Sequence, residues 1–216
     1  MHLFFDLDGT LTDPAVGISR CIEHAMFEMA RALPVGTDLR RFIGPPLQDT
    51  FRTLLGTDEP KPIAEAVKHY RDRFARIGMY ENELYPAIPG ELGTLSERGY
   101  TLWVVTSKPH VFARRIVAHF GVEDFFEGIH GSELDGTNTD KRDLVAHVLE
   151  FESIRATDAW MIGDRGHDVR GGVANGVRTA GVLWGYGSRD ELEEAGADII
   201  LEQPGQLSER FSGEGA

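Results

Sequence analysis

The chain places one strand before a long helical block and all its other strands after it, and this order restricts the possible folds. Leu3 to Leu7 is a short apolar run with the pattern of a strand buried in a parallel sheet. From about residue 14 to 84 no good strand follows. Ile18, Ile22, Ala25/Met26, Met29 and Leu33 recur at helical spacing. A turn at Pro34-Val35-Gly36 leads to a short helix that Thr37 is placed to cap, and Gly44-Pro45-Pro46 breaks it. Leu47 to Leu55 resumes as a helix ended by Gly56. Ile63, Val67, Tyr70, Phe74 and Ile77 form a third stripe, stopped by Gly78.

Beyond the block, strand and helix alternate. Strands are expected over Tyr100–Val105, Phe125–Ile129, Ala159–Ile162, Thr179–Leu183 and Asp198–Leu201. Helices are expected from Pro109 through His119, over Asp140–Phe151, over Arg165–Ala174 and over Ser188–Ala195. Such alternation means right-handed βαβ units and a mostly parallel sheet. The expected fold class is therefore α/β, a doubly wound, Rossmann-like parallel sheet with an inserted small all-helical domain. Residues 1–13 and 86–216 would form the core and 14–85 the insertion. The two ends of the insertion, near Asp13 and Tyr85-Pro86, must then lie close together and are candidate hinges.

In such sheets the functional site lies beyond the carboxyl ends of the strands. After the first strand comes Asp6-Leu7-Asp8-Gly9-Thr10-Leu11-Thr12-Asp13, and after the second Thr106-Ser107-Lys108. Lys141 opens a later helix, and Gly163-Asp164-Arg165-Gly166-His167-Asp168 follows the fourth strand. Acids, hydroxyls and a lysine thus converge on one sheet edge. A carboxylate can attack phosphorus and split one displacement into two. A hard cation held by oxygens, Mg²⁺ above all, can neutralise the phosphate, and Asp6 and Asp164 at two strand ends suit that role. Lys141 adds a positive charge, while Thr106 and backbone N–H groups can cradle phosphate oxygens. Asp8 can give a proton to the leaving oxygen and later activate water, and Gly9 permits the sharp turn there.

Each residue also has a plainer reading. An aspartate after a strand usually caps a helix or forms a turn, which covers Asp13 before Pro14. Arg165 and His167 read as solvated or as supporting residues behind the site, not as catalysts. His110 and His130 lack metal-like spacing, and Trp184 reads as packing. Cys21 is alone, which excludes an intrachain disulfide and a cysteine zinc site and leaves a small buried hydrophobe.

Charge bears on partners. There are 35 acidic and 22 basic side chains, a formal −13, which argues against a nucleic-acid polymer or an anionic membrane as partner. The longest uncharged run, Thr179 to Ser188, is too short to span a bilayer. The apolar start meets an acid at Asp6, too early for a signal peptide. The expectation is a cytoplasmic monomer or homodimer acting on a small molecule.

Asp6 to Asp13 resembles the first motif of the haloacid dehalogenase superfamily of phosphohydrolases. Val104-Val105-Thr106-Ser107-Lys108-Pro109 resembles the second, Lys141 the third, and Gly163 to Asp168 the fourth, in the same order. The helical insertion is similar to that family's C1 cap. The resemblance implies Asp6 as nucleophile and metal ligand. It implies Asp8 as general acid/base whose backbone carbonyl also binds metal. Thr106 and Ser107 would bind phosphate together with Gly9 and Lys141, Asp164 would bind Mg²⁺, and Asp168 would support the metal site. The family's dehalogenases and phosphonatases lack an acid at the place of Asp8, so a phosphate monoester is the implied substrate. Phe42-Ile43-Gly44-Pro45-Pro46-Leu47 and Trp184-Gly185-Tyr186-Gly187-Ser188 resemble a subgroup of phosphoglycolate phosphatases and 5′-nucleotidase-like phosphatases. In the cap, the loop around Gly44 would close over the leaving group, with Arg41 and Arg52 as candidate contacts to an anionic substrate. A phosphomutase of the same family shares these motifs. A phosphorelay receiver shares the acids, hydroxyl and lysine, but it is shorter, lacks the insertion and phosphorylates a middle strand.

Overall fold

The computed structural model describes residues 1–212. The chain divides into two compact units, Met1–Asp13 with the segment from Leu84 onward, and Pro14–Glu83.

In the first unit, β1 (His2–Phe5) is followed by the two-residue β2 (Thr12–Asp13), where the chain leaves for the second unit. The second unit holds α1 (Ala15–Glu28), α2 (Leu47–Leu55) and α3 (Pro60–Phe74). The chain returns through β3 (Glu83–Leu84) and continues through α4 (Ile88–Glu97), β4 (Thr101–Pro109), α5 (His110–His119) and β5 (Phe126–Ser132). Then follow α6 (Lys141–Phe151), β6 (Ala159–Gly163), α7 (Gly166–Ala174), β7 (Arg178–Val182), α8 (Arg189–Ala195), β8 (Ile199–Leu201) and α9 (Gln206–Arg210).

Six strands form one parallel sheet in the order β5-β4-β1-β6-β7-β8. The first strand in sequence therefore lies inside the sheet, and both of its neighbours come from beyond the helical unit. Phe5, its last residue, sits opposite Val104 on one side and Ile162 on the other. Whatever follows Phe5 must therefore emerge between the ends of β4 and β6. One face of the sheet buries Phe4, Trp103, Val105 and Met161 against Leu144, Val145 and Val148 of α6. Fully burying side chains of this size is worth about 1.5–3 kcal/mol each, so α6 is held firmly and its first residue, Lys141, is positioned with it.

In the second unit α1 packs against α3 around Ile22, Ala25, Met26, Phe51, Val67 and Tyr70. Tyr70 stacks on Phe74 at 5.6 Å and meets the edge of Phe51 at 6.2 Å. The helical stripes run shorter than their spacing implies. Helix α1 ends at Glu28, with Ala30 at φ 50°, so Leu33 lies in the loop beyond. Helix α3 ends at Phe74, and Ile77 is 53% exposed. The short helix after the turn is a 3-10 turn over Leu39–Phe42. Its cap is Asp38, whose carboxylate accepts from the Arg40 N–H at 3.1 Å. Thr37 instead donates its hydroxyl to the Pro34 carbonyl at 2.8 Å, which closes the preceding turn. Helix α4 was not anticipated, although Ile88, Leu92 and Leu95 carry helical spacing and are fully buried. Among the described residues no helix is long and apolar enough to cross a membrane.

Candidate active site

Asp6 is the first residue past β1, and its N–H donates to the Ile162 carbonyl at 2.9 Å. It therefore starts where the sheet stops. The chain then turns back sharply. Leu11 and Thr12 donate to the Leu7 carbonyl at 2.9 and 3.0 Å, and Gly9 donates to the Thr12 carbonyl at 2.7 Å. Gly9 has φ 85°, and a Cβ there would lie 2.2 Å from Asp164 Oδ2, so the turn and the approach to Asp164 both demand glycine.

Lys141 Nζ reaches Asp6 Oδ1, Asp168 Oδ1 and the Val105 carbonyl at 2.8, 2.8 and 2.9 Å. Its side chain is fully buried. An unpaired ammonium at that depth would cost several kcal/mol, so the contacts to two carboxylates are what allow it to stay charged. Burial works against the charged ammonium, but Asp168 and Asp6 outweigh it and hold Lys141 above its ordinary value. Asp168 lies in the first turn of α7. Its Oδ2 accepts from the Arg165 N–H at 3.1 Å, which satisfies a free amide at the helix start and leaves Oδ1 facing Lys141. Burial pushes the Asp168 carboxyl up, yet His167 and Lys141 outweigh it and bring it below the usual range.

Asp164 follows β6 directly and is fully buried. Burial, then repulsion from Asp168 and Asp6, raises its carboxyl well above the usual range. Burial likewise raises Asp6, against the opposing pull of Lys141. Asp6, Asp164 and Asp168 offer oxygens all within 4.8 Å of one another. Three carboxylates against the one ammonium of Lys141 leave a surplus of two negative charges in a buried site. Asp164 Oδ1 has no hydrogen-bond partner there. An all-oxygen donor set with a two-charge surplus and a bare buried oxygen fits a hard divalent cation.

Asp8 stands apart from this cluster. Its Oδ2 pairs with Lys108 Nζ at 2.7 Å, and both side chains are largely buried. Its Oδ1 is buried without a partner. Thr106, buried within the C-terminal half of β4, accepts the Lys108 N–H on Oγ1 at 3.3 Å, and the Ser107 carbonyl accepts from the Ser132 hydroxyl at 2.8 Å.

The sheet edge thus gathers Asp6, Asp8, Gly9, Thr106, Ser107, Lys141, Asp164 and Asp168. Arg41, Gly44 and Arg52 belong to the second unit. Arg41 lies over the Phe42 ring at 5.1 Å, Gly44 occupies the turn before α2, and Arg52 is engaged by Asp49 and by Asp58 at 3.1 Å. Sequence reasoning passed over two contributors. Lys108 lies two residues past Thr106 on the same strand, and that period-2 spacing was a usable signal. The loop Trp184–Gly187 carries a motif resemblance, but no spacing that assigns it to the site. Trp184 Nε1 donates to the Thr10 carbonyl at 2.9 Å, and the Tyr186 N–H donates to Asp164 Oδ2 at 2.7 Å. His110 and His130 pair instead with Glu133 and Glu152, at 3.3 and 3.0 Å.

Residues 3–182 match the family described as haloacid dehalogenase-like hydrolase. A protein of Pseudomonas aeruginosa named 5′-nucleotidase is 49% identical over 191 residues, 88% of this chain and 86% of its own length. Tyrosine-protein kinase PtkA of Mycobacterium tuberculosis is 38% identical over 198 residues, 92% of this chain and 67% of its own. The crystal structure of a predicted phosphatase from Clostridium acetobutylicum aligns with a TM-score of 0.91 at 38% identity, covering 98% of this chain and 97% of that one.

Proposed function

The chain belongs to the haloacid dehalogenase-like hydrolases, and from that premise we propose that it is a Mg²⁺-dependent phosphatase. Its substrate is a small phosphate monoester, a nucleoside 5′-monophosphate first and phosphoglycolate second, hydrolysed through a phosphorylated Asp6. The observation that carries this reading is the buried cluster of Asp6, Asp164 and Asp168 around Lys141, at the end of the strand flanked by β4 and β6. The likeness to a 5′-nucleotidase at 49% identity supports the order of substrates.

Asp6, Asp164 and the Asp8 carbonyl would hold the cation, with Asp168 in support. When bound, Mg²⁺ supplies the positive charge that lets a phosphate dianion approach a carboxylate. Asp6 attacks phosphorus, forming one P–O bond as the bond to the leaving oxygen breaks. Lys141 keeps Asp6 charged and stabilises negative charge beside it. Asp8 donates a proton to the departing alcohol, then takes one from the water that attacks phospho-Asp6, which releases inorganic phosphate and restores Asp6. Thr106 hydroxyl, Ser107 N–H and the Gly9 turn orient the phosphate oxygens.

The test is inorganic phosphate release by purified protein from nucleoside monophosphates, phosphoglycolate and sugar phosphates. Release should require Mg²⁺, and Asp6→Asn should lower it by about a thousandfold or more. A wild-type protein inactive on the whole panel, or an active Asp6→Asn variant, would overturn the reading. The likeness to a tyrosine kinase supports a second acceptor for phospho-Asp6, a tyrosine hydroxyl in place of water. Incubation with radiolabelled ATP and a tyrosine peptide distinguishes the two, since only transfer leaves label on the peptide.

A further inference from the structure

Three side chains beside the site have no part in the chemistry above. Asp13 is the last residue of the first unit before the chain leaves it, and Tyr85 is the second residue after it returns. Tyr186 belongs to the loop after β7. Its hydroxyl donates to Asp13 Oδ1, and the Tyr85 side chain lies close enough to feel it. All three are half-buried. The departing and returning segments are joined directly as well, for the Tyr85 N–H donates to the Leu11 carbonyl at 3.2 Å.

The same loop lies against the candidate cation site. The Tyr186 N–H donates to Asp164 Oδ2 at 2.7 Å, the one hydrogen bond described for that carboxylate, while Oδ1 is left bare. A Cβ on Gly185 would lie 2.3 Å from the Gly9 carbonyl oxygen and 2.4 Å from Asp164 Oδ2, so the loop sits as close as backbone allows. Trp184 fixes its other end to Thr10 at 2.9 Å. Main-chain contacts set how near the loop lies, and the Tyr186 hydroxyl ties it to Asp13, where the chain leaves the first unit.

We propose that Asp13, Tyr85 and Tyr186 form a positioning cluster that holds the loop after β7, and through the Tyr186 N–H the Asp164 carboxylate, in register with the two chain crossings. These are positioning residues, because the contact through which they act on the site is the Tyr186 N–H to Asp164 Oδ2. Asp164 is a buried carboxylate beside two others, and a few tenths of an ångström in its placement changes how well it shares a cation with Asp6. The inference rests on the reading of Asp6 as nucleophile and Asp164 as metal ligand.

The test is a double-mutant cycle with Tyr186→Phe, which removes one hydroxyl and keeps the ring, and Asp13→Ala, which removes its acceptor. Each single variant should lower kcat for p-nitrophenyl phosphate by about tenfold with KM within about twofold of wild type, and the double variant should lose no more than the worse single. Mg²⁺ affinity, measured by calorimetry without substrate, should weaken several-fold in both. Asp13→Asn, which keeps an oxygen acceptor, should recover most of the loss. Melting temperatures without Mg²⁺ should stay within a few degrees of wild type, which separates positioning from folding. Additive losses in the double variant, or unchanged kcat and Mg²⁺ affinity in Tyr186→Phe, would overturn the proposal. So would a loss of activity matched by a collapse in melting temperature. If wild type releases no phosphate from any ester, the functional reading fails on its own, and the calorimetry still decides on the cluster.

Discussion

Lys141 is the residue that joins the buried carboxylates of the site. It is fully buried and touches two buried carboxylates at 2.8 Å. Removing one partner of a buried ionic group leaves charge uncompensated, typically at about 3–5 kcal/mol. Lys141→Met keeps most of the apolar stem but strands Asp6 and Asp168 together. Denaturant unfolding should show a loss of that size, with the slope against denaturant little changed. A variant as stable as wild type would mean that the carboxylates are relieved in another way. The acids and the lysine were legible in the sequence because each stands at a strand end or a helix start. The contact between Tyr186 and Asp13 was not, because the two lie in separate motifs 173 positions apart.

At the scale of an element, the start of α6 decides where Lys141 points. Asp140 caps this helix. Its carboxylate accepts the Arg142 N–H at 2.9 Å and also pairs with the Arg142 guanidinium, and that pairing lowers its carboxyl to about 2. A carboxyl depressed in the folded state from 3.8 stabilises the fold above pH 4, and that contribution is lost as pH falls from about 4 toward 2. The side chain is 40% exposed, so solvent screening keeps the ionic part below about 1 kcal/mol. Asp140→Ala should cost about 1 kcal/mol near pH 7 from the lost cap. Asp140→Asn should cost less, and its deficit should vanish toward pH 2, as chemical denaturation across the pH range would show. A deficit that grows on acidification would contradict this sign. The same scale shows how capping misleads. Thr37 and Asp38 are both good caps by type, and which one closes the 3-10 turn depends on backbone geometry that neighbours in sequence cannot reveal. Helix α4 carries an apolar spacing of its own, but a weak one that glycine at 90 and 93 dilutes.

For the whole molecule, the crowding of three buried carboxyl groups predicts that stability rises when a divalent cation is added. A ligand bound only by the folded state stabilises it by about 2.7 kcal/mol at 100 times its dissociation constant. In a chain of this length that raises the melting midpoint by about 5–10 °C. Thermal unfolding with Mg²⁺ and with EDTA should differ by that amount, and Asp164→Ala should abolish the difference. An equal shift in that variant would place the cation elsewhere. The alternation of strand and helix, the helical block set inside it and the kinds of residue at each strand end can all be read along the chain. These follow from periodicity, from glycine and proline breaks and from side-chain chemistry, all of which are local. That Lys141 bridges Asp6 and Asp168, that Lys108 pairs with Asp8, and that Tyr186 reaches both Asp164 and Asp13 is visible in the fold alone. Those contacts join segments far apart in the chain, and their distances are set by the register of β4 and β6 on β1 and by the depth at which α6 packs on the sheet.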